Sequence, residues 1–254
     1  MNVTFLGTGT SQGVPVIACD CPVCRSLDYR DKRLRVSVLI ETSGKSFVID
    51  TGPDFRQQML RENVRQLDAV IYTHQHKDHT AGLDDVRAYN YLQKRDMPLY
   101  GRQEVLNHIQ NEFYYAFGEN VYPGVPRLQL NRIESEPFDI EGVTFVPIQV
   151  MHHRLPVLGF RVGDFTYITD ANYISEVEMS KIRGSKVVVV NALQREPHIS
   201  HFTLPQAIEL VQQLEVPSAY FTHMSHKIGL HGDLEKELPD NIHLAYDGLK
   251  LKID

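Results

Sequence analysis

The stretch Thr73-His74-Gln75-His76-Lys77-Asp78-His79 sets three imidazoles and a carboxylate in one loop, directly after the apolar run Ala69-Val70-Ile71-Tyr72. The chain has 12 histidines in 254 residues, so a quarter of them stand here. Imidazole and carboxylate together suit Zn, Mn or Fe, and suit an oxygen-only ion such as Ca poorly. His74 and His76 are two apart and point the same way on an extended backbone. Asp78 and His79 follow a further turn and point elsewhere. One loop can thus feed two ions, the first through His74 and His76 and the second through Asp78 and His79. Neither set is complete, so other parts of the chain must supply partners.

Short runs rich in β-branched and aromatic residues read as strands: Val3-Leu6, Val36-Ile40, Phe47-Ile49, Ala69-Tyr72, Val143-Val150, Leu158-Val162, Phe165-Ile168, Val187-Val190 and Ala219-Phe221. Helical spacing runs over Phe55-Gln66, Gln103-Phe117 and Leu204-Leu214, the last opened by a capping box of Thr203 and Gln206 with Pro205 in its first turn. The chain reads as one mixed α/β domain over residues 1–254. The aromatic segment Glu112-Leu130, with its glycines and prolines, reads as an excursion from the core. Ligand-type side chains sit at strand ends: Asp50 after Ile49, His74 after Tyr72, Asp170 after Thr169 and His223 after Thr222. In layered α/β folds, strand ends converge on the edge where ligands bind.

Three cysteines fall within Cys19-Asp20-Cys21-Pro22-Val23-Cys24. So few thiols cannot build a disulfide framework, but their spacing suits a tetrahedral structural zinc that needs a fourth ligand. Gly7, Gly9 and Gly13 follow a strand with G-x-G-x3-G spacing and no following helix. They read as tight turns, not a nucleotide loop. Net charge is −6, which does not advertise nucleic-acid binding. With no basic, apolar leader and no run of 18 apolar residues, the expected location is the cytoplasm and no membrane partner is expected. His201 stands just before the capped helix, whose N-terminus attracts anions. His198 reads as an exposed loop histidine.

THQHKDHTAG, Thr73 to Gly82, resembles the signature of the metallo-β-lactamase superfamily of hydrolases. The resemblance implies an αββα sandwich with a dinuclear metal site at its edge, holding two catalytic divalent metals (Zn, Mn or Fe). It implies Asp50 as a structural carboxylate under the metal loop, Asp170 as the carboxylate bridging both metals, and His223 as the last ligand of the second site. Asp78 counts as both ligand and catalytic carboxylate. The first site's third ligand lies in Met151-His152-His153. In the phosphodiesterase branches this histidine stands six residues before a Gly-aromatic pair, here Gly159-Phe160, which selects His153. The cysteine array and the GTGTSQGVP opening are similar to the branch containing the cyclic phosphoribose phosphodiesterases of phosphonate catabolism. That branch implies one structural Zn on Cys19, Cys21, Cys24 and His226. It also implies His201 as the group that protonates the leaving oxygen.

The resemblance therefore implies a metal-dependent phosphodiesterase acting on a small, cyclic phosphodiester through a hydroxide shared by metals ~3.5–4 Å apart. The alternatives are a transfer-RNA 3′-processing endonuclease, which leaves nucleic acid as a less favoured partner, and a pyrroloquinoline-quinone-type carrier protein. A homodimer is compatible with either.

Overall fold

The computed structural model describes residues 1–118 and 122–254. In chain order the strands are β1 (Asn2–Gly7), β2 (Ser37–Thr42), β3 (Lys45–Ile49), β4 (Ala69–Ile71), β5 (Met97–Gly101), β6 (Leu128–Arg132), β7 (Phe138–Ile140), β8 (Val143–His152), β9 (Leu155–Val162), β10 (Phe165–Tyr167), β11 (Tyr173–Ile174), β12 (Val187–Asn191), β13 (Ser218–Thr222), β14 (Ile242–Leu244) and β15 (Lys250–Lys252). One sheet runs β15-β1-β2-β3-β4-β5-β6. The other runs β11-β8-β9-β10-β12-β13-β14, with β7 paired to β8.

Alternation along the strands assigns each side chain to a layer. Val38 and Ile40 of β2 face the second sheet, while Leu39 faces away. On β12, Val189 faces the first sheet, and Val188 and Val190 face away. Between the sheets lies a core that includes Phe5, Phe47, Phe145, Phe160 and Phe165, with Phe47 and Phe145 edge to face at 5.3 Å. Each such ring, fully buried, contributes roughly 1.5–3 kcal/mol. Outside the first sheet, Val48, Val70 and Leu99 pack against Phe55, Met59, Val105 and Ile109 of helices Phe55–Arg61 and Gln103–Glu112. Outside the second, Val188, Val190 and Phe221 pack against Ala207, Leu210 and Val211 of helix Leu204–Leu214. The layers are therefore αββα. Among the described residues, no helix is long and apolar enough to cross a membrane.

The segment Glu112-Leu130 departs from the sequence expectation. Its end enters β6, which pairs parallel to β5 and is part of the first sheet. Pro98 and Gly101 in β5, and the polar alternation Leu-Gln-Leu-Asn-Arg of β6, hide both strands from an apolar-run reading. Glu119, Asn120 and Val121, within the same segment, lie outside the described residues. Helix Gln103–Glu112 also stops five residues short of Phe117, giving way to a 3-10 turn at Tyr114–Ala116.

Gly7 and Gly9 are not tight turns. A Cβ on Gly7 would collide with the Arg35 carbonyl, and one on Gly9 would stand 2.9 Å from the Arg33 carbonyl oxygen. The absence of a side chain lets this segment press against residues 33–35. On its other side, Met224 N–H donates to Thr8 O at 2.9 Å and Thr10 N–H to Met224 O at 3.1 Å. The opening loop thus supports the residue next to His223.

Candidate functional site

The parallel strands β3 and β4 of one sheet, and β10, β12 and β13 of the other, end at the same edge. Asp50, Asp170 and His223 each follow such a strand with positive φ, +65°, +53° and +54°. Non-glycine residues seldom adopt this region, and where they do the surrounding structure holds the strain, characteristically at sites. Asn191, at the end of β12, pins the Asp170 turn: its Oδ1 accepts from Ala171 N–H at 2.8 Å and its Nδ2 donates to Ala171 O at 2.9 Å.

Two clusters form at this edge. Ligand atoms of His74, His76, His152 and Asp170 lie within 4.8 Å of one another, as do those of Asp78, His79, Asp170 and His223. Asp170 belongs to both. Its Oδ2 stands 3.6 Å from His74 Nε2 and 3.3 Å from His79 Nε2, and its Oδ1 stands 3.0 Å from His223 Nε2. Asp50 lies beneath. Its Oδ2 accepts from His79 Nδ1 at 2.7 Å and from Thr73 Oγ1 at 2.8 Å, leaving His79 Nε2 to face the site.

His153 is not in the first cluster; His152 is. His153 is exposed with φ +57°, and its N–H donates to Asn172 Oδ1 at 2.8 Å. The reason is the hairpin. β8 runs through to His152, which pairs with Leu155, so His153 and Arg154 form the turn itself. The ring of His152 stands 5.7 Å from that of His74 and 5.2 Å from that of His76. Its Nδ1 donates to Ser200 O at 2.9 Å.

The backbone beneath the loop is equally close. Thr51 N–H donates to His79 O at 2.8 Å and Gly82 N–H to Thr51 O at 2.9 Å. A Cβ on Gly52 would collide with the Asp78 carbonyl, so glycine after Asp50-Thr51 is what lets the loop carrying Asp78 and His79 sit down.

The electrostatics favour a cation. Burial alone would raise the Asp170 carboxyl, but His223 and His79 beside it hold it well below the usual range. Asp78 is likewise lowered against burial, with His79 the strongest opposing influence. Burial pushes His74 well below an ordinary imidazole, and His79 adds to that push. Nε2 of His79 and Nε2 of His223 are buried without a hydrogen-bond partner in the protein, although both face carboxylates. Orphaned nitrogens among buried carboxylates are the donor set a divalent metal takes.

His201 is buried beside the clusters, its Nε2 3.6 Å from Asp170 Oδ2 and without a hydrogen-bond partner. Burial pushes its imidazole down to about 4, against the pull of Asp170. The capping box behind it is formed: Thr203 N–H donates to Gln206 Oε1 at 3.0 Å, and Thr203 Oγ1 accepts from Gln206 N–H.

At a separate position, Sγ of Cys19, Cys21 and Cys24 surround Nδ1 of His226 at 3.2, 3.3 and 3.5 Å. The short helix Pro22–Arg25 carries Cys24 back towards Cys21, whose Sγ accepts from Cys24 N–H at 3.4 Å. Three thiols on one imidazole nitrogen match a tetrahedral zinc set.

Residues 45–224 match the β-lactamase superfamily domain. The chain belongs to the β-lactamase superfamily. Its fold and motifs place it close to the PhnP family. A solved structure of a new diphosphatase from that family is 38% identical, covering 100% of this chain and 98% of its own, with a TM-score of 0.93. Octanoyltransferase from Porphyromonas gingivalis (strain ATCC BAA-308 / W83) is 42% identical over 257 residues, 100% of this chain and 52% of that protein. Ribonuclease Z from Nanoarchaeum equitans (strain Kin4-M) is 25% identical over 179 residues, 65% of this chain and 54% of that protein. The chain thus spans about half the length of these curated relatives. By family it carries the metallo-β-lactamase fold.

Proposed function

We propose that this chain hydrolyses a small phosphodiester, with cyclic phosphates favoured. The observation that carries the reading is the sharing of Asp170 between two nitrogen-oxygen clusters with His201 Nε2 beside it. His74, His76, His152 and Asp170 would hold one divalent metal, and Asp78, His79, Asp170 and His223 the other. Cys19, Cys21, Cys24 and His226 would hold a structural zinc. The catalytic pair supplies Lewis acidity, drawing charge from the phosphoryl oxygens and lowering the pKa of water towards ~7.

The protein's own part is positioning and proton handling. Asp170 joins both clusters, and Asp50 fixes the His79 ring. His201 Nε2 faces the scissile phosphate and gives its proton to the departing alkoxide as the P–O bond breaks. The phosphoryl charge, arriving against it, favours the protonated ring. An oxygen from water bonds to phosphorus as that P–O bond breaks, leaving a hydroxyl and a phosphomonoester, which a cyclic substrate carries on one molecule.

The 38% identical diphosphatase supports a second reading in which the cleaved link is P–O–P. A phosphate leaving group needs less protonation, so His201 would matter less for it. The ribonuclease Z likeness supports RNA more weakly, and a net charge of −6 suits a small substrate better than a polyanion. Octanoyl transfer is not carried over, since nearly half of that protein lies outside the match. A carrier role would leave the His201 position without work.

A panel of ribose cyclic phosphate, 2′,3′-cyclic nucleotides, a dinucleoside diphosphate, bis(p-nitrophenyl) phosphate and precursor transfer RNA separates these readings. Turnover of the cyclic phosphates is expected. Turnover only of the diphosphate or only of the RNA transfers the assignment accordingly, and turnover of none favours a carrier.

A further inference from the structure

We infer that His198 is a positioning residue for His201, fixing which of its nitrogens carries the resting proton and aiming Nε2 into the site. The inference rests on the reading of His201 as proton donor. Sequence reasoning treats His198 as a loop histidine, and it is indeed exposed. The loop around it is nonetheless pinned. Asn172 Nδ2 donates to Ile199 O at 3.2 Å, His152 Nδ1 to Ser200 O at 2.9 Å and Phe202 N–H to Ala171 O at 2.7 Å. These bonds tie residues 199–202 to the elements that carry His152 and Asp170.

Hydrogen-bond direction then assigns the tautomers. Ser200 N–H reaches His198 Nδ1 at 3.4 Å, and a backbone N–H can only donate, so His198 Nδ1 is the bare nitrogen. His201 Nδ1 lies 3.2 Å from that same atom and 3.0 Å from Ser200 Oγ. Two bare nitrogens at that separation would repel, so His201 Nδ1 carries a hydrogen and donates it. Nε2 is then the atom that takes up and releases the working proton, and it is the one aimed at Asp170 Oδ2. A histidine's reactive nitrogen is set by the bond its other nitrogen makes. Ser200 Oγ offers a second acceptor, but it sits on a freely rotating hydroxyl. His198 supplies a fixed lone pair in a ring 5.0 Å from that of His201.

The test is a double-mutant cycle on the metal-loaded protein with an alkyl phosphodiester and its p-nitrophenyl counterpart. His198→Ala should lower kcat on the alkyl ester about tenfold or more, the scale of hydrogen bonds that orient a functional histidine. KM and metal content should hold. His198→Asn should recover most of the loss, because Asn Oδ1 can accept where Nδ1 did. In a His201→Ala background, His198→Ala should have no further effect. An additive loss, a raised KM with unchanged kcat, no rescue by Asn, or no loss at all would each overturn the inference. The parent reading fails separately, if His201→Ala slows both esters equally. The cycle would still report whether His198 acts through His201.

Discussion

His152, at the end of β8, and His76, in the loop after β4, bring their rings within 5.2 Å across the two sheets. The first cluster thus closes between the sheets. His152→Ala should leave the protein folded but lower metal content by up to one ion per chain and collapse turnover. His153→Ala, in the exposed turn, should change neither. Metal analysis and rates on the two variants decide the point. The reverse pattern would return the assignment to His153.

The cysteine cluster predicts a separable metal. Cys21→Ser should lose one zinc per chain and melt at lower temperature, because metal binding to such sets is linked to folding. His74, His79 and Asp170 contribute nothing to that cluster, so the remaining metals should stay. An unchanged zinc count would remove the structural-zinc assignment.

His231 is buried and accepts at Nδ1 from Arg33, 3.1 Å away, while its backbone N–H donates to Asp31 Oδ1. Burial, then the charge of Arg33, pushes its imidazole down to about 4. The folded pKa lies below the ordinary value near 6.5, so this histidine stays neutral when folded and charges when unfolded. Its contribution is therefore fully present above about pH 6.5 and is lost as pH falls towards 4, on the order of 2–3 kcal/mol. Denaturant unfolding at pH 7, 6 and 5 should show His231→Gln losing less stability with acid than the parent. Parallel pH profiles would contradict this.

The fold was legible where strands are apolar runs. Val36-Ile40 and Val187-Val190 announce themselves because both of their faces are buried. β5 and β6 do not, because a proline interrupts one and the other alternates with polar residues. At the site, Asp170 and His223 could be read because each ends an apolar strand. His152 was misplaced by one residue because a count back from Gly159 ignores where the hairpin turns. Gly52 and Asn191 carried no ligand chemistry, so their support of Asp78 and Asp170 emerges only from packing. His198 reads as a loop histidine in sequence, and the bonds that hold the backbone beside it, at Ile199 and Ser200, come from residues far along the chain.

The most direct test of the account is phosphodiester turnover followed as chelator-stripped protein is reloaded with Mn or Zn, with bound metal counted at each step. Bis(p-nitrophenyl) phosphate serves as the probe. Turnover should be absent in the stripped protein and rise as the His/Asp clusters fill, and it should not return in an Asp170→Ala variant reloaded the same way. Hydrolysis that survives stripping, or protein that fills both clusters and hydrolyses no phosphate ester in the panel, would contradict it.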